Sequence, residues 1–125
     1  MAVDAKNTAK ARGDWGEDVA LEYLKMKDYT LVTRGFRSRF GEIDIIVKDS
    51  RFVVFVEVKT RKNASFAYAR EYVGKAKQDK IRATASLWLA SHKTKLQPRF
   101  DVIEIYAPQG VDTVSPEINH IENAF

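Results

Sequence analysis

Asp44 stands inside the apolar segment EIDIIVK (42–48), and Glu57 and Lys59 close the apolar segment FVVFVEVK (52–59). Carboxylates are hard oxygen ligands. Mg²⁺ is typically held by one or two of them, with water and substrate phosphate completing its shell. A metal so held polarises a phosphoryl oxygen and lowers the pKa of a bound water. A neighbouring ammonium stabilises charge that grows at phosphorus and helps orient the attacking water. Lysine suits that role because its pKa moves readily with its surroundings. These three residues therefore have the composition of a metal-dependent phosphodiester-cleaving site. For Glu57 and Lys59 alone the ordinary alternative is a surface ion pair at a strand end, because E-x-K is a common strand pattern.

Both segments are rich in Ile, Val and Phe and read as strands, joined by the polar turn Lys48-Asp49-Ser50-Arg51. A two- or four-residue turn pairs Val47 with Phe52, placing Glu42 opposite Glu57 and Asp44 opposite Phe55. Strand alternation then directs Glu42, Asp44, Glu57 and Lys59 to one face. Asp44 and Glu57 become diagonal neighbours, roughly 7–8 Å apart at Cα. A three-residue turn would break this register. Charges in an otherwise apolar, buried strand need partners or a metal.

The flanking elements supply further polar groups. Residues 9–27 read as a helix, with Ala9, Gly13, Gly16, Glu17, Ala20, Tyr23 and Leu24 on one stripe. This aims Glu17 at the sheet as a third carboxylate, and the flanking glycines permit close backbone approach. The alternative is a glutamate reaching solvent past small neighbours. A short strand starts at Tyr29–Val32, and Arg34–Phe40 follows with three arginines and two phenylalanines between the breaks Gly35 and Gly41. Residues 60–75 form a long basic connection containing Phe66, Tyr68 and Tyr72, which either stack on bases or cover the core. Residues 76–92 read as a second helix with Ile81, Ala85, Trp88 and Leu89 on its apolar stripe. Lys77 and Gln78 precede Ile81 by one turn, near a helix N-terminus that can meet a phosphate; the alternative is a solvated first turn. Strands at Phe100–Tyr106 and near Ile118–Ile121 complete an α-β-β-β-α-β-β order, an α/β or α+β sheet covered by helices.

Other polar residues point away from catalysis. Asp101 in RFDVIEIY reads as a structural partner for an arginine. His92 and His120 lack metal-ligand spacing and read as surface or structural residues. Ser86 and Ser91 have no visible base partner, and the glycines form neither a P-loop nor a dinucleotide fingerprint.

The bulk composition sets the limits. A chain of 125 residues suits one domain, residues 1–125. The absence of cysteine excludes disulfides, zinc ribbons, iron–sulfur clusters and thiol catalysis. No apolar run approaches the ~18–20 residues that span a bilayer. The polar N-terminal segment carries no signal sequence, so the expectation is a cytoplasmic protein that does not enter membranes. The net charge is only +4, but Lys59–Arg99 holds eleven Lys/Arg against two acids, whereas Phe100–Phe125 holds five acids and no Lys or Arg. The local excess has the footprint of a polyanion site, although a solvated helix and a basic loop would give the same count.

Six motifs together carry a resemblance: GDWGE (13–17), GEIDII (41–46), VEVKTR (56–61), KQDK (77–80), RFDVI (99–103) and HIENAF (120–125). Over nearly its whole length the chain resembles the YraN-type family of uncharacterised bacterial proteins. That family is similar to the PD-(D/E)XK nucleases, and to archaeal Holliday-junction resolvases in particular. The resemblance implies a restriction-endonuclease-like αβββαβ core, a mixed central sheet flanked by helices. It implies that Asp44 and Glu57 hold Mg²⁺ or Mn²⁺ with the Val58 carbonyl, that Glu17 supports the metal, and that Lys59 assists the attacking water. Lys77 and Gln78 both match the polar position of the second helix, and the choice between them stays open. Ile43 departs from the motif, which has proline there. The implied activity is endonucleolytic cleavage of DNA, branched or otherwise structured DNA included, with Arg34, Arg37, Arg39, Arg61 and Lys62 gripping phosphates. The alternatives are a non-catalytic nucleic-acid-binding or protein-docking module on the same fold, and RNA as the substrate. Resolution of two strands needs two sites, which makes a homodimer a further expectation.

Overall fold

The computed structural model describes residues 7–62 and 73–125. Helix α1 (Ala9–Met26) starts where the Thr8 hydroxyl accepts a hydrogen bond from the Ala11 amide at 3.1 Å. This caps an otherwise orphaned helical N–H. Strands β1 (Thr30–Ser38), β2 (Gly41–Lys48) and β3 (Phe52–Arg61) follow as an antiparallel meander. Helix α2 (Lys75–Ser91) then precedes β4 (Gln97–Tyr106), which lies parallel to β3, and β5 (Glu117–Ile121) returns antiparallel to β4. Parallel neighbours cannot be joined by a tight turn, and α2 supplies the crossover. The sheet order is β1-β2-β3-β4-β5, so the expected αβββαβ order stands, with β5 as an added strand.

Each helix covers one face of the sheet. Ala20, Leu21 and Leu24 of α1 pack on Ile45, Val47, Val54, Val56, Ile103 and Ile105. Ile81, Ala85 and Trp88 of α2 pack on Ile43, Ile46, Phe55 and Val102 on the other face. The near-continuous apolar runs of β2 and β3 follow from this two-sided burial. Among the described residues no helix is long and apolar enough to cross a membrane.

The β2–β3 register differs from the expected one. Lys48 pairs with Val53, Val47 with Val54 and Ile45 with Val56. The cause is Asp49, whose carboxylate accepts from the amides of Arg51 at 2.8 Å and Phe52 at 2.7 Å. The turn therefore closes around Ser50 and Arg51. The displacement is two residues, so within the paired segment from Ile45 to Lys48 each side chain keeps its expected face. Continued by one pair, the register brings Asp44 level with Glu57, where the expectation was a diagonal.

The arginine-rich stretch is strand rather than a break. β1 runs unbroken to Ser38, taking up its irregularity at Leu31/Thr33 and at Gly35, whose φ is +63°. The end of the β1–β2 hairpin is fastened to α2 by the Ser38–Thr84 hydroxyl pair at 2.9 Å. The expected aromatic connection with Phe66, Tyr68 and Tyr72 lies outside the described residues.

Candidate active site

β2 stays paired with β1 as far as Ser38–Gly41, but its pairing with β3 ends at Ile45–Val56. Face alternation breaks at the same place, since Ile43 and Ile46 pack on the α2 side while Ile45 and Val47 pack on the α1 side. Asp44 sits at this fork. Its Oδ2 accepts the Val58 amide at 2.8 Å, where a backbone carbonyl would otherwise be. In an extended strand the N–H and C=O of one residue point toward the same neighbour. The Val58 carbonyl therefore faces the fork beside Asp44.

Glu57 is only 5% exposed. Its Oε1 lies 3.4 Å from Lys59 Nζ and 2.6 Å from Lys77 Nζ. The structure thus brings Lys77 to the acid. Gln78 turns away and donates its side-chain amide to the Val73 carbonyl at 2.8 Å. Burial, and then the Glu57 carboxylate, push the Asp44 carboxyl up to about 7 against the pull of the Val58 amide. Burial and the adjacent Lys77 ammonium hold Lys59 below the ordinary lysine value. Burial also acts to lower Lys77, but its contact with Glu57 outweighs that and raises it. The result is an Asp44 carboxyl that resists ionising beside Glu57, next to a Lys59 ammonium that gives up its proton more readily.

Glu17 reaches the fork from the α1 face, opposite to Lys59 and Lys77. It lines a groove of about 320 Å³ with Ala9, Arg12, Gly13, Asp44, Glu57, Val58 and Thr60. Burial raises its carboxyl against the opposing effect of Arg34, whose Nη2 lies 3.5 Å away. The two glycines expected to permit close approach act differently. A Cβ on Gly16 would collide with the Thr60 hydroxyl, so Gly16 sets the spacing of α1 on β3. A Cβ on Gly13 would meet nothing within 4 Å, so Gly13 leaves the groove open.

The donor set suits a hard divalent cation. Asp44, Glu57 and the Val58 carbonyl supply oxygens only, and two desolvated carboxylates side by side gain from a positive ion between them. Among the described residues no three His, Asp or Glu side chains converge as a complete cage. A third carboxylate ligand is therefore not preformed, and Glu17 is engaged by Arg34 instead. Glu42, expected on the same face, lies outside the cluster and pairs with Arg37 at 3.3 Å.

The expected phosphate-gripping residues divide into three groups. Arg34 is held by Asp18 at 2.8 Å and by Glu17. Arg37 and Arg39 lie at the outer end of the hairpin, Arg37 beside Glu42 and Arg39 stacked on Phe40 at 4.8 Å. Arg61 donates to the fully buried Glu104 at 2.9 Å, while Lys62 is exposed at the end of β3. Sequence reasoning passed over Arg12 and Thr60. Helical spacing carried the signal for Arg12, which stands with Ala9, Gly13, Gly16 and Glu17 at i, i+3, i+4, i+7 and i+8.

Asp101 is the structural partner that was expected. It accepts two bonds from Arg99, both at 2.9 Å, one from His120 at 2.7 Å and one from the Asn123 amide at 3.0 Å. His120 also meets the Tyr23 hydroxyl at 3.0 Å, and His92 stacks on Trp88. Both histidines are structural.

The pattern of an uncharacterised protein family, UPF0102, matches residues 16–105. A UPF0102 protein of Geotalea daltonii is 44% identical, with 100% of this chain and 97% of the relative covered. One from Acetivibrio thermocellus is 40% identical over 98% of this chain and 97% of the relative. One from Aliivibrio fischeri is 39% identical over the same shares.

Proposed function

The chain belongs to the uncharacterised protein family UPF0102, and we propose that it is a divalent-metal-dependent endonuclease that hydrolyses phosphodiester bonds in DNA. The observation that carries this reading is the meeting of Asp44, Glu57 and Lys59 at the fork between β2 and β3. In it, Asp44, Glu57 and the Val58 carbonyl hold Mg²⁺ or Mn²⁺, with Glu17 supporting from the α1 side. The bound ion supplies Lewis acidity toward a phosphoryl oxygen and an acidified water. Lys59, with its lowered pKa, holds the attacking water and exchanges a proton with it. Lys77 holds the Glu57 carboxylate in place when the metal is away. Arg34, Arg37, Arg39, Arg61 and Lys62 give a basic margin for phosphates. Such contacts position a backbone without reading its sequence, so selection is by shape, branched or otherwise structured DNA included.

The Lys77–Glu57 contact at 2.6 Å also favours a second reading, a binding or docking module without turnover, because Glu57 already has a cation beside it. The phosphate contacts serve RNA equally well. One experiment separates these readings. The protein is incubated with linear, single-stranded and four-way-junction DNA and with matched RNA, in Mg²⁺, Mn²⁺ or chelator, beside Asp44→Asn and Lys59→Ala. Metal-dependent cutting lost in both variants is expected. Salt-sensitive binding without cutting in any metal would leave the docking module. A homodimer, which paired cuts in a junction require, is read by light scattering in the same samples.

A further inference from the structure

A cavity of about 530 Å³ adjoins the groove and shares Arg12 and Thr60 with it. Its other walls are Arg61 and Lys62 at the end of β3, and Ala107–Gly110 after β4. That volume lies within the roughly 300–1,000 Å³ of small-ligand sites. Among the described residues three cationic ones line it, Arg61 already paired with Glu104, and no acidic one does. The far end is shut. Asn7, before α1, accepts the Val111 amide at 3.1 Å, and Gly110 lies so close to Asn7 that a Cβ there would collide with it. The Arg12 guanidinium donates to the Asn7 carbonyl and lies across this closed end.

We propose that this cavity seats the terminal phosphate monoester of a nucleic-acid strand lying in the groove, so that the site measures its cut from a strand end. The inference rests on the groove receiving a nucleic acid. A continuous strand would need an exit that the Asn7–Gly110 contact closes. A phosphate monoester carries roughly −1.5 to −2 charges at neutral pH, against one for an internal diester. The exposed cations Arg12 and Lys62 match the larger charge, and guanidinium binds phosphate in a two-pronged fashion. Lys62 stands five residues beyond Glu57, ~16 Å along an extended strand at ~3.3 Å per residue, a span of a few nucleotides.

The test is competition binding to the full chain in chelator, so that nothing is cut. Short single strands bearing a 5′-phosphate, a 3′-phosphate or neither displace one labelled strand from wild type, Arg12→Ala and Gln109→Glu. Both variants alter exposed positions, so folding is kept. In wild type one of the two terminal phosphates tightens binding roughly three- to tenfold. That preference falls to about unity when Arg12 is removed or when a carboxylate is placed in the cavity at 109. Equal affinity for all three strands in wild type, or a preference that survives both variants, overturns the inference. End preference without cutting in any metal would sink the nuclease reading alone. Cutting without end preference would sink this cavity alone.

Discussion

Asp44→Asn separates the charge at the fork from its shape. Asparagine keeps an oxygen for the Val58 amide and removes only the ionisation. The folded carboxyl titrates near 7 rather than 3.8, because burial and Glu57 disfavour its charged form. Between those values the folded state binds more protons than the unfolded one. Stability from this group is therefore full below about pH 4 and is lost as pH rises through 7. About three pH units at 1.36 kcal/mol each set a ceiling of ~4 kcal/mol. Relaxation and coupling to Glu57 reduce that to an expected ~2–4 kcal/mol. In chelator, Asp44→Asn should match wild type near pH 4 and exceed it by that amount at pH 8. At roughly 4 °C per kcal/mol for a chain of this length, the gap in Tm is about 8–15 °C. Added Mg²⁺ should narrow the gap at pH 8 by stabilising wild type alone. Thermal melts at five pH values, with and without Mg²⁺, measure all of this. A gap that stays flat from pH 4 to pH 8 would refute the claim that the fork holds Asp44 against its ionisation.

Three further outcomes follow from the geometry. Gly13→Ala should stabilise by ~0.5–1 kcal/mol through helix propensity, whereas Gly16→Ala should destabilise by ~1–2 kcal/mol through its clash with Thr60, with urea titration giving the opposite signs. Asp101→Ala should cost ~3–5 kcal/mol by leaving Arg99 without its buried partner. Burial alone would raise the Asp101 carboxyl, but its bonds from His120 and Arg99 hold it below the usual range, so its contribution is present above about pH 4 and lost as pH falls through the depressed value; acid-denaturation curves of the variant should lack that transition. Lys77→Ala should tighten divalent-ion binding severalfold in calorimetry by removing a competing cation, while Lys59→Ala should lower metal-dependent cleavage ~10²–10⁴-fold in timed assays.

The elements were legible because their patterns are local. The α1 stripe, the two apolar strands and the Trp88 stripe each follow from spacing within one segment, and the structure has them within one or two residues. The β2–β3 register was not legible, because one side chain decided it. Asp49 caps two amides and moves the pairing by two residues, which brought Asp44 level with Glu57 while Ile45–Lys48 kept their faces. Long-range choices were also hidden. Lys77 and Gln78 are neighbours on one helical turn, and only the packing of α2 on β3 sends one to Glu57 and the other to Val73. The Arg61–Glu104 pair was hidden as well, because nothing near Arg61 in sequence shows that Glu104, forty-three residues on, lies in the next strand.

The hydrogen bond from Val58 to Asp44 gives residue 44 two duties that differ in what they tolerate. As a rung joining two strands it accepts asparagine as readily as aspartate. Alanine offers no acceptor, and glutamate is a methylene too long for the same span. On the proposed reading, a copy of this fold without turnover would still be held to Asp or Asn at 44, whereas the Lys59 contact with Glu57 joins residues of one strand. Aspartate at 44 is thus a signature of how the sheet is joined, and under the proposed nuclease reading lysine at 59 would be the better witness to hydrolysis in a given family member.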